Sequence, residues 1–252
     1  MTTRTESAVS ELAAVMAQAR SAVAFTGAGI SAESGIPVYR GEGGLWTRFD
    51  PYKVAHIDTF RADPSQYWRH SRDHRRTQAQ PNAAHRALVD LERAGRLGAV
   101  VTQNTDGLHQ AAGSGRVIEL HGSSHTVVCL DCEQRYPRPM IDGLNAQHCP
   151  PSCPSCGGGF LKPTVVMFGE PLPTAALEDA QQLAMGADVM LIVGSSLQVY
   201  PAAGIPRLAR ERGAELCIVN AEPTPFDAVA TVVLQGKAGE VLPAVVDGIG
   251  GF

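Results

Sequence analysis

A chain of 252 residues can bury one full core and a small second module, and 44% hydrophobic with 18% charged residues is ordinary globular composition. A net charge of -4 and a pI near 6.1 argue against direct nucleic-acid binding and against an anionic membrane surface as partner. No apolar run approaches the ~20 residues that cross a bilayer, and Met1 to Ser10 lack the apolar centre of a signal peptide, so the chain is expected in the cytoplasm.

Ser10 to Ala19 place Leu12, Val15, Met16 and Ala19 on one helical stripe. Ala22 to Phe25 read as a buried strand running into Gly27-Ala28-Gly29-Ile30-Ser31-Ala32, which fits G-x-G-x-x-G/A. Gly27 and Gly29 keep Cβ atoms out of the path of a phosphate, and Ser31 to Ser34 can open a helix whose N–H groups face the anion. An ordinary dinucleotide site continues into a long helix. Here Gly35, Pro37, Gly41, Gly43 and Gly44 break the chain instead. The stretch to Trp46 therefore reads as a phosphate-binding turn followed by a ligand-covering loop, expected to reorder when its ligand binds.

From Leu45 to Gln80 aromatic and basic residues rise and long apolar strands vanish, with Asp58-Thr-Phe and Asp63-Pro-Ser as helix starts: a helical insert. Asn82 is a fitting N-cap for a helix that turns Ala84, Leu88 and Leu91 to the core and stops at Gly95. Leu97 to Val101 and Val117 to Leu120 read as strands, ending in Thr102-Gln103-Asn104-Thr105-Asp106 and His121-Gly122. Residues 123–163 are rich in Cys, Pro and Gly, with few core formers. Val165 to Phe168 read as another strand. Then a helix at about 174–185, strands Asp188 to Val193, Leu216 to Val219 and Thr231 to Leu234, and helices Ala202 to Arg212 and Glu240 to Val246 complete an α/β alternation.

That alternation implies a Rossmann-like, doubly wound parallel sheet with a smaller discontinuous domain made of the helical insert and a zinc-ribbon module. The expected boundaries are 1–40, 81–122 and 164–252 for the Rossmann-like domain, 41–80 for the insert and 123–163 for the zinc module.

Cys129-x2-Cys132 and Cys153-x2-Cys156 lie 20 residues apart, the spacing of a four-cysteine zinc site. Each pair can form a knuckle supplying two thiolates, with Gly157, Gly158 and Gly159 giving backbone freedom. Redox dithiols fit less well, because they come singly beside a βα unit. Four thiolates leave zinc no open position, so the ion is expected to be structural, and a module with little core of its own is expected to need it. Cys149 and His148 stand outside the paired motifs. Cys217 reads as a small core residue.

Four strand-end clusters could converge on one ligand: the glycine stretch, residues 103–106, Glu119-Leu120-His121-Gly122, and Gly194-Ser195-Ser196 with Asn220. Taken in order with Thr-Gln-Asn-x-Asp-x-Leu-His, Phe168-Gly169-Glu170, Gly-Ser-Ser-Leu and the two cysteine pairs, they resemble the sirtuins, NAD-dependent protein deacylases, over nearly the whole chain.

The resemblance implies that NAD is a co-substrate and that acyl-lysine proteins or peptides are the partners. It implies His121 as general base, a role that suits a side chain titrating near neutral pH. It also implies that Asn104 and Asp106 order a water and the nicotinamide carboxamide, that Gln103 meets the nicotinamide ribose, and that Thr105 lies in the nicotinamide pocket. Gly27, Ala28, Gly29, Ala32, Tyr39 and Arg40 would line the phosphate and ribose end. Gly194, Ser195 and Ser196 would bind phosphate or ribose, Asn220 with Ala221 the adenine ribose, and the Ala238 backbone the adenine. Val166 and Phe168 would wall an acyl-lysine tunnel, and Gly169-Glu170 would pair with an extended peptide. His85 and His109 read as packing and hydrogen-bonding residues.

Three departures stand out. Tyr39 and Thr105 replace the family's usual Phe and Ile or Val, and Val38 its usual Asp or Thr. Sirtuins that remove acidic acyl groups carry Tyr-x-x-Arg in the insert. The stretch from Tyr67 to Arg76 has none, offering only Ser71 with His74 or Arg69 with Arg72, so a neutral acyl group, acetyl first, is expected. Transfer of ADP-ribose to a protein, or removal of longer or acidic acyl groups, is the alternative on the same fold. A non-catalytic NAD sensor and a hydride-transferring dehydrogenase fit less well.

Overall fold

A computed structural model of the chain describes residues 3–39, 44–47, 50–74, 79–158 and 160–250. Among them are nine strands: β1 Ala22–Thr26, β2 Ala99–Thr102, β3 Val117–Glu119, β4 Thr126–Cys129, β5 Arg135–Pro137, β6 Leu161–Pro163, β7 Val189–Val193, β8 Glu215–Asn220 and β9 Val232–Gln235.

Six of them form a parallel sheet in the order β3-β2-β1-β7-β8-β9. The strand order reverses between β1 and β7, and the carboxyl ends there open the crevice in which sheets of this kind take ligands. Both faces are covered, so the strands are apolar on both sides. Ala24, Val100, Leu191 and Val219 face the helices Thr3–Gln18, Ala83–Arg93 and Ala238–Ile249 through Leu12, Met16, Leu88, Leu91, Leu242 and Val245. Val23, Phe25, Val101, Ile192 and Ile218 face the helices Thr174–Gly186 and Gly204–Glu211 through Ala180, Ala184, Ile205 and Ala209. Full burial of a side chain such as Phe25 contributes roughly 1.5–3 kcal/mol, and it is 0% exposed.

The helix Ala83–Arg93 starts as its sequence directs. Asn82 Oδ1 accepts the Ala84 and His85 N–H groups at 2.9 and 3.4 Å, and His85 Nδ1 accepts the Asn82 N–H at 3.3 Å. This is a reciprocal cap with histidine in the place of the usual Glu or Gln.

β5, β4 and β6 form a separate antiparallel sheet. It is less core-poor than its composition implies. A helix at Arg138–Gln147, hidden among the Pro and Gly residues, packs beside it, and Val127, Tyr136, Ile141 and Leu161 share one core with Ile57, Phe60 and Trp68 of the insert helices Ile57–Ala62 and Pro64–His74. Trp68 is fully buried, and its Nε1 donates to the Leu161 carbonyl at 3.0 Å. The Arg138 guanidinium lies 4.6 Å above the Trp68 ring and bonds Asp142 and Ser71, each at 2.6 Å. The aromatic face and the two acceptors offset the cost of burying that cation.

Val165 to Phe168 do not form the strand expected of them. Among the described residues only Phe168 pairs, as an isolated parallel bridge with His56, and the short strand lies upstream at β6. A short helix at Leu108–Ala112, which the sequence does not announce, follows β2.

Candidate active site

The glycine stretch follows β1 at the switch point. It forms a 3-10 helix over Ala28–Ser34 and ends at Gly35 in the left-handed region, φ 81°. Gly27 N–H donates to the Val193 carbonyl at 3.1 Å and Gly29 N–H to the Gly194 carbonyl at 2.8 Å, so the loops after β1 and β7 are bonded to each other. A Cβ on Gly29 would lie 2.7 Å from Gly194 Cα, and one on Gly27 2.8 Å from the Gly194 oxygen. The sequence reading assigned these glycines to phosphate approach. The structure adds a second reason for them, the contact between two backbone turns. Gly194, at φ 63°, is the third member of that contact. Ala28 is half-buried and Ala32 exposed. Arg40 and the glycines at 41 and 43 lie outside the described residues.

The loop after β2 fastens these turns to the neighbouring strand. Gln103 Nε2 donates to Ser195 Oγ at 2.8 Å, and the Leu197 N–H reaches the same oxygen at 3.2 Å. Both acceptor positions of Ser195 are then filled, and its own O–H is left as a donor. Asn104 Nδ2 donates to the Gly27 carbonyl at 3.2 Å and to Ser31 Oγ at 3.1 Å. Oδ1 is therefore the amide's remaining hydrogen-bonding atom. Ser31 donates to Asp106 Oδ2 at 2.7 Å, and Asp106 Oδ1 accepts the Leu108 N–H at 3.0 Å. Thr105 and Asp106 also hold the smaller unit: their carbonyls accept from the Ser124 N–H at 2.9 Å and from His125 Nε2 at 2.7 Å.

His121 ends the third line of residues. Its Nδ1 lies 2.9 Å from the Gln103 carbonyl. A carbonyl oxygen only accepts, so Nδ1 carries the proton and Nε2 is the bare lone pair of the neutral ring. Burial holds the ring's pKa below its ordinary value, and the Gln103 carbonyl opposes that shift. Gly122 follows at φ 67°, where a Cβ would run into the Thr164 carbonyl. The His121 carbonyl itself accepts the Val166 N–H at 2.8 Å.

Behind these groups is a buried polar layer that the sequence did not mark as part of the site. Ser31, Thr26, Thr102, His85 and His109 are each no more than 2% exposed. His109 Nε2 lies 2.9 Å from Thr26 Oγ1, which donates to Thr102 at 2.8 Å. His109 Nδ1 has no partner among the described residues. Burial pushes the pKa of His85 down to about 4 and that of His109 down to about 3.

Of the residues expected to meet substrate, Val166 and Phe168 are half-buried and Gly169 is exposed at φ 85°. The Phe168 ring sits 5.9 Å from Tyr52, whose ring is also 5.8 Å from His56. Glu170 turns its carboxylate inward: Oε2 accepts the Met167 N–H at 2.8 Å and meets Lys162 Nζ at 2.8 Å. Tyr39 is 44% exposed as a residue, but its phenol is held above the usual pKa, first by burial and then by Tyr67 and Asp106. Ser71, one half of the sequence's substitute for an acid-binding pair, is engaged by Arg138, and Arg69 makes an exposed 3.8 Å ion pair with Asp63.

The remaining residues sit one and two strands over. Asn220 ends β8, and its Nδ2 donates to the Glu222 carbonyl at 2.7 Å. Ala221 is exposed, and its carbonyl accepts from Gln235 at 3.2 Å. Ala238 is buried at the first position of the last helix, beside Gly239, whose N–H donates to Glu33 of the 3-10 helix at 2.7 Å. Ser196 is half-buried.

The four cysteines of the smaller unit come together. Their sulfurs lie within 4.8 Å of one another, with Cys129 to Cys156 at 3.8 Å and Cys132 to Cys153 at 3.7 Å. Four thiolates about 2.3 Å from one zinc ion would sit about 3.8 Å apart, so the set fits a tetrahedral ion. Both knuckles close alike: the Glu133 N–H returns to the Cys129 carbonyl and the Gly157 N–H to that of Cys153, each at 2.9 Å, with φ values of 59° and 73°. Gly159 lies outside the described residues. Cys217 is buried in β8, where burial pushes its thiol up to about 12.

A model described as the Sir2 family matches residues 27–201. The NAD-dependent protein deacylase 2 of Archaeoglobus fulgidus is 48% identical over 244 residues, 96% of either chain. A structure from work on the mechanism and regulation of Sir2 enzymes superposes with a TM-score of 0.92 at 48% identity, over 97% of this chain and 98% of the other. A Sir2 variant solved with a deacetylated p53 peptide and 3'-O-acetyl-ADP-ribose superposes with a TM-score of 0.91 at 38% identity, over 95% and 98%. With the family match spanning the glycine turn, the histidine strand end and the cysteine cluster, this chain belongs to the Sir2 family.

Proposed function

We propose that the protein is an NAD-dependent protein-lysine deacetylase, transferring the acetyl group to ADP-ribose with release of nicotinamide and free lysine. The observation that carries this reading is the state of His121. Its Nδ1–H is committed to the Gln103 carbonyl, which leaves Nε2 as a base just past the end of β3, tied to the loop after β2 that carries Asn104 and Asp106. NAD would supply a sugar carbon activated by its nicotinamide leaving group, to which the carbonyl oxygen of the acyl-lysine would bond, with water completing release of the lysine amine.

The residues present fit NAD. The turns after β1 and β7 bring backbone without Cβ atoms to the switch point and the Ser195 O–H is left as a donor there, where Gly27, Ala28, Gly29, Ala32, Arg40, Gly194 and Ser196 would hold phosphate and ribose. Asn220, Ala221 and Ala238 would hold the adenosine end. Gln103 and Thr105 would meet the nicotinamide half. Asn104 Oδ1 would orient a water or the carboxamide, and Asp106, fixed by Ser31 and Leu108, would accept the carboxamide N–H. The neutral His121 would take a ribose hydroxyl proton. Tyr39 would cover the sugar from water.

An acyl-lysine peptide would lie as an added strand along Gly169-Glu170, with Val166 and Phe168 beside its aliphatic stem. The Gly169 N–H and carbonyl have no partner among the described residues, which suits such pairing. Zinc at Cys129, Cys132, Cys153 and Cys156 would be structural, since four thiolates leave no open position. The unit boundaries given above and a cytoplasmic setting belong to the same reading. Reduced, metal-directed cysteines accord with that setting.

Incubation with an acetyl-lysine peptide and NAD, followed by mass spectrometry, tests the proposal. Nicotinamide, free-lysine peptide and acetyl-ADP-ribose should appear in equal amounts, and ADP-ribose attached to protein without deacetylated peptide would refute it. A broader acyl range is the second reading, supported by the name deacylase carried by the Archaeoglobus fulgidus relative. Acetyl, succinyl and myristoyl peptides compared in one assay decide it. Faster desuccinylation would overturn the neutral preference argued from the missing Tyr-x-x-Arg.

A further inference from the structure

Lys162 is the last interior residue of β6 before the segment that leads to Gly169, and its side chain is 5% exposed. A buried ammonium has three N–H donors to satisfy. Nζ reaches the Pro163 carbonyl at 3.2 Å, the Val165 carbonyl at 2.7 Å and Glu170 Oε2 at 2.8 Å. Glu170 Oε2 accepts the Met167 N–H at 2.8 Å as well. One charge therefore holds both ends of a segment whose middle has no strand partner apart from the bridge at Phe168. The Val166 N–H in that segment is bonded to the His121 carbonyl.

We infer that Lys162 and Glu170 form a buried clamp that positions the acyl-peptide segment, and with it the outer wall beside His121. Lys162 is a positioning residue for substrate and touches neither reactant. The inference rests on the proposed deacylase reading. Without the clamp, the Val165 carbonyl and Met167 N–H lose their partners, and the segment no longer presents Gly169 at a fixed register. The peptide then loses binding that is equal in the ground and transition states, which raises KM for peptide and leaves kcat nearly unchanged. NAD contacts other strand ends, so its KM should hold.

The test uses the full chain carrying Lys162→Met, Lys162→Arg and Glu170→Ala. Lys162→Met should raise the peptide KM about tenfold with the NAD KM within about twofold, and Lys162→Arg should recover most of the loss. Hydrogen exchange at the Met167 amide should quicken at least about tenfold in Lys162→Met and Glu170→Ala, a readout that needs no turnover. Should Lys162→Met fail to fold, Glu170→Ala, which removes the carboxylate oxygen shared by Lys162 and the Met167 N–H, carries the exchange reading. Unchanged Met167 exchange, or equal increases in both KM values, would overturn the clamp. Wild-type protein that turns over no acyl peptide, with exchange altered as expected, would refute the deacylase reading and leave the clamp standing.

Discussion

Acidification should weaken this fold through two histidines that catalysis does not use. His85 and His109 are buried to 0% and 1% exposure, their rings 5.0 Å apart, and their pKa values are pushed down to about 4 and about 3. Protonating His109 would bury a charge on Nδ1, an atom with no acceptor among the described residues. In the unfolded chain both rings titrate near 6.5. Because the folded values are depressed, their contribution is complete above about pH 6.5 and is lost as pH falls toward the folded values. At pH 5 each ring costs about 1.4 kcal/mol for each of about 1.5 pH units, roughly 2 kcal/mol apiece and 4 together, a large share of a typical 5–15 kcal/mol.

Urea unfolding at pH 7.5 and pH 5.0 measures this in wild type and in His109→Gln, whose amide can still donate to Thr26. Carboxylates and the clustered cysteines also respond to acid, but equally in both proteins, so the difference isolates His109. The variant should lose about 2 kcal/mol less than wild type between the two pH values. Equal losses would show that His109 is not held neutral by its burial.

Two further outcomes follow from geometry. Gly29→Ala places a Cβ 2.7 Å from Gly194 Cα, where backbone faces backbone and neither side can rotate away. It should cost about 1–3 kcal/mol of stability and raise the NAD KM, and a variant with wild-type melting and NAD affinity would refute the closed-turn role. Cys129→Ala removes one of the four clustered sulfurs. Zinc measured by mass spectrometry should fall from one per chain toward none, with loss of the small unit's packing, whereas undiminished zinc in a natively folded variant would exclude the site.

The alternation of strand and helix was readable because the sheet is buried on both faces: continuous runs such as that of β7 admit few other readings. The caps at Asn82 and Asp63 and the cysteine spacing were local signals, and each has its counterpart in the fold. What escaped depends on distant partners. The helix Arg138–Gln147 owes its buried arginine to Trp68, some seventy residues earlier, and Met140, Ile141 and Leu144 were its only apolar hint. Val165 to Phe168 have a strand's composition, yet Lys162 and Glu170 take the backbone groups that a ladder would have used. Ser31 looked like a helix opener and proved to be the hub between Asn104 and Asp106. A serine four residues after the first glycine, facing an Asn-x-Asp on the next strand, is the signal that could have found it.

His121→Ala tests the proposed general base most directly. With melting temperature and zinc content matched to wild type, and with acetyl peptide and NAD saturating, deacetylation should fall at least about 100-fold, within the range usual for loss of a general base. Turnover at the wild-type rate would contradict it.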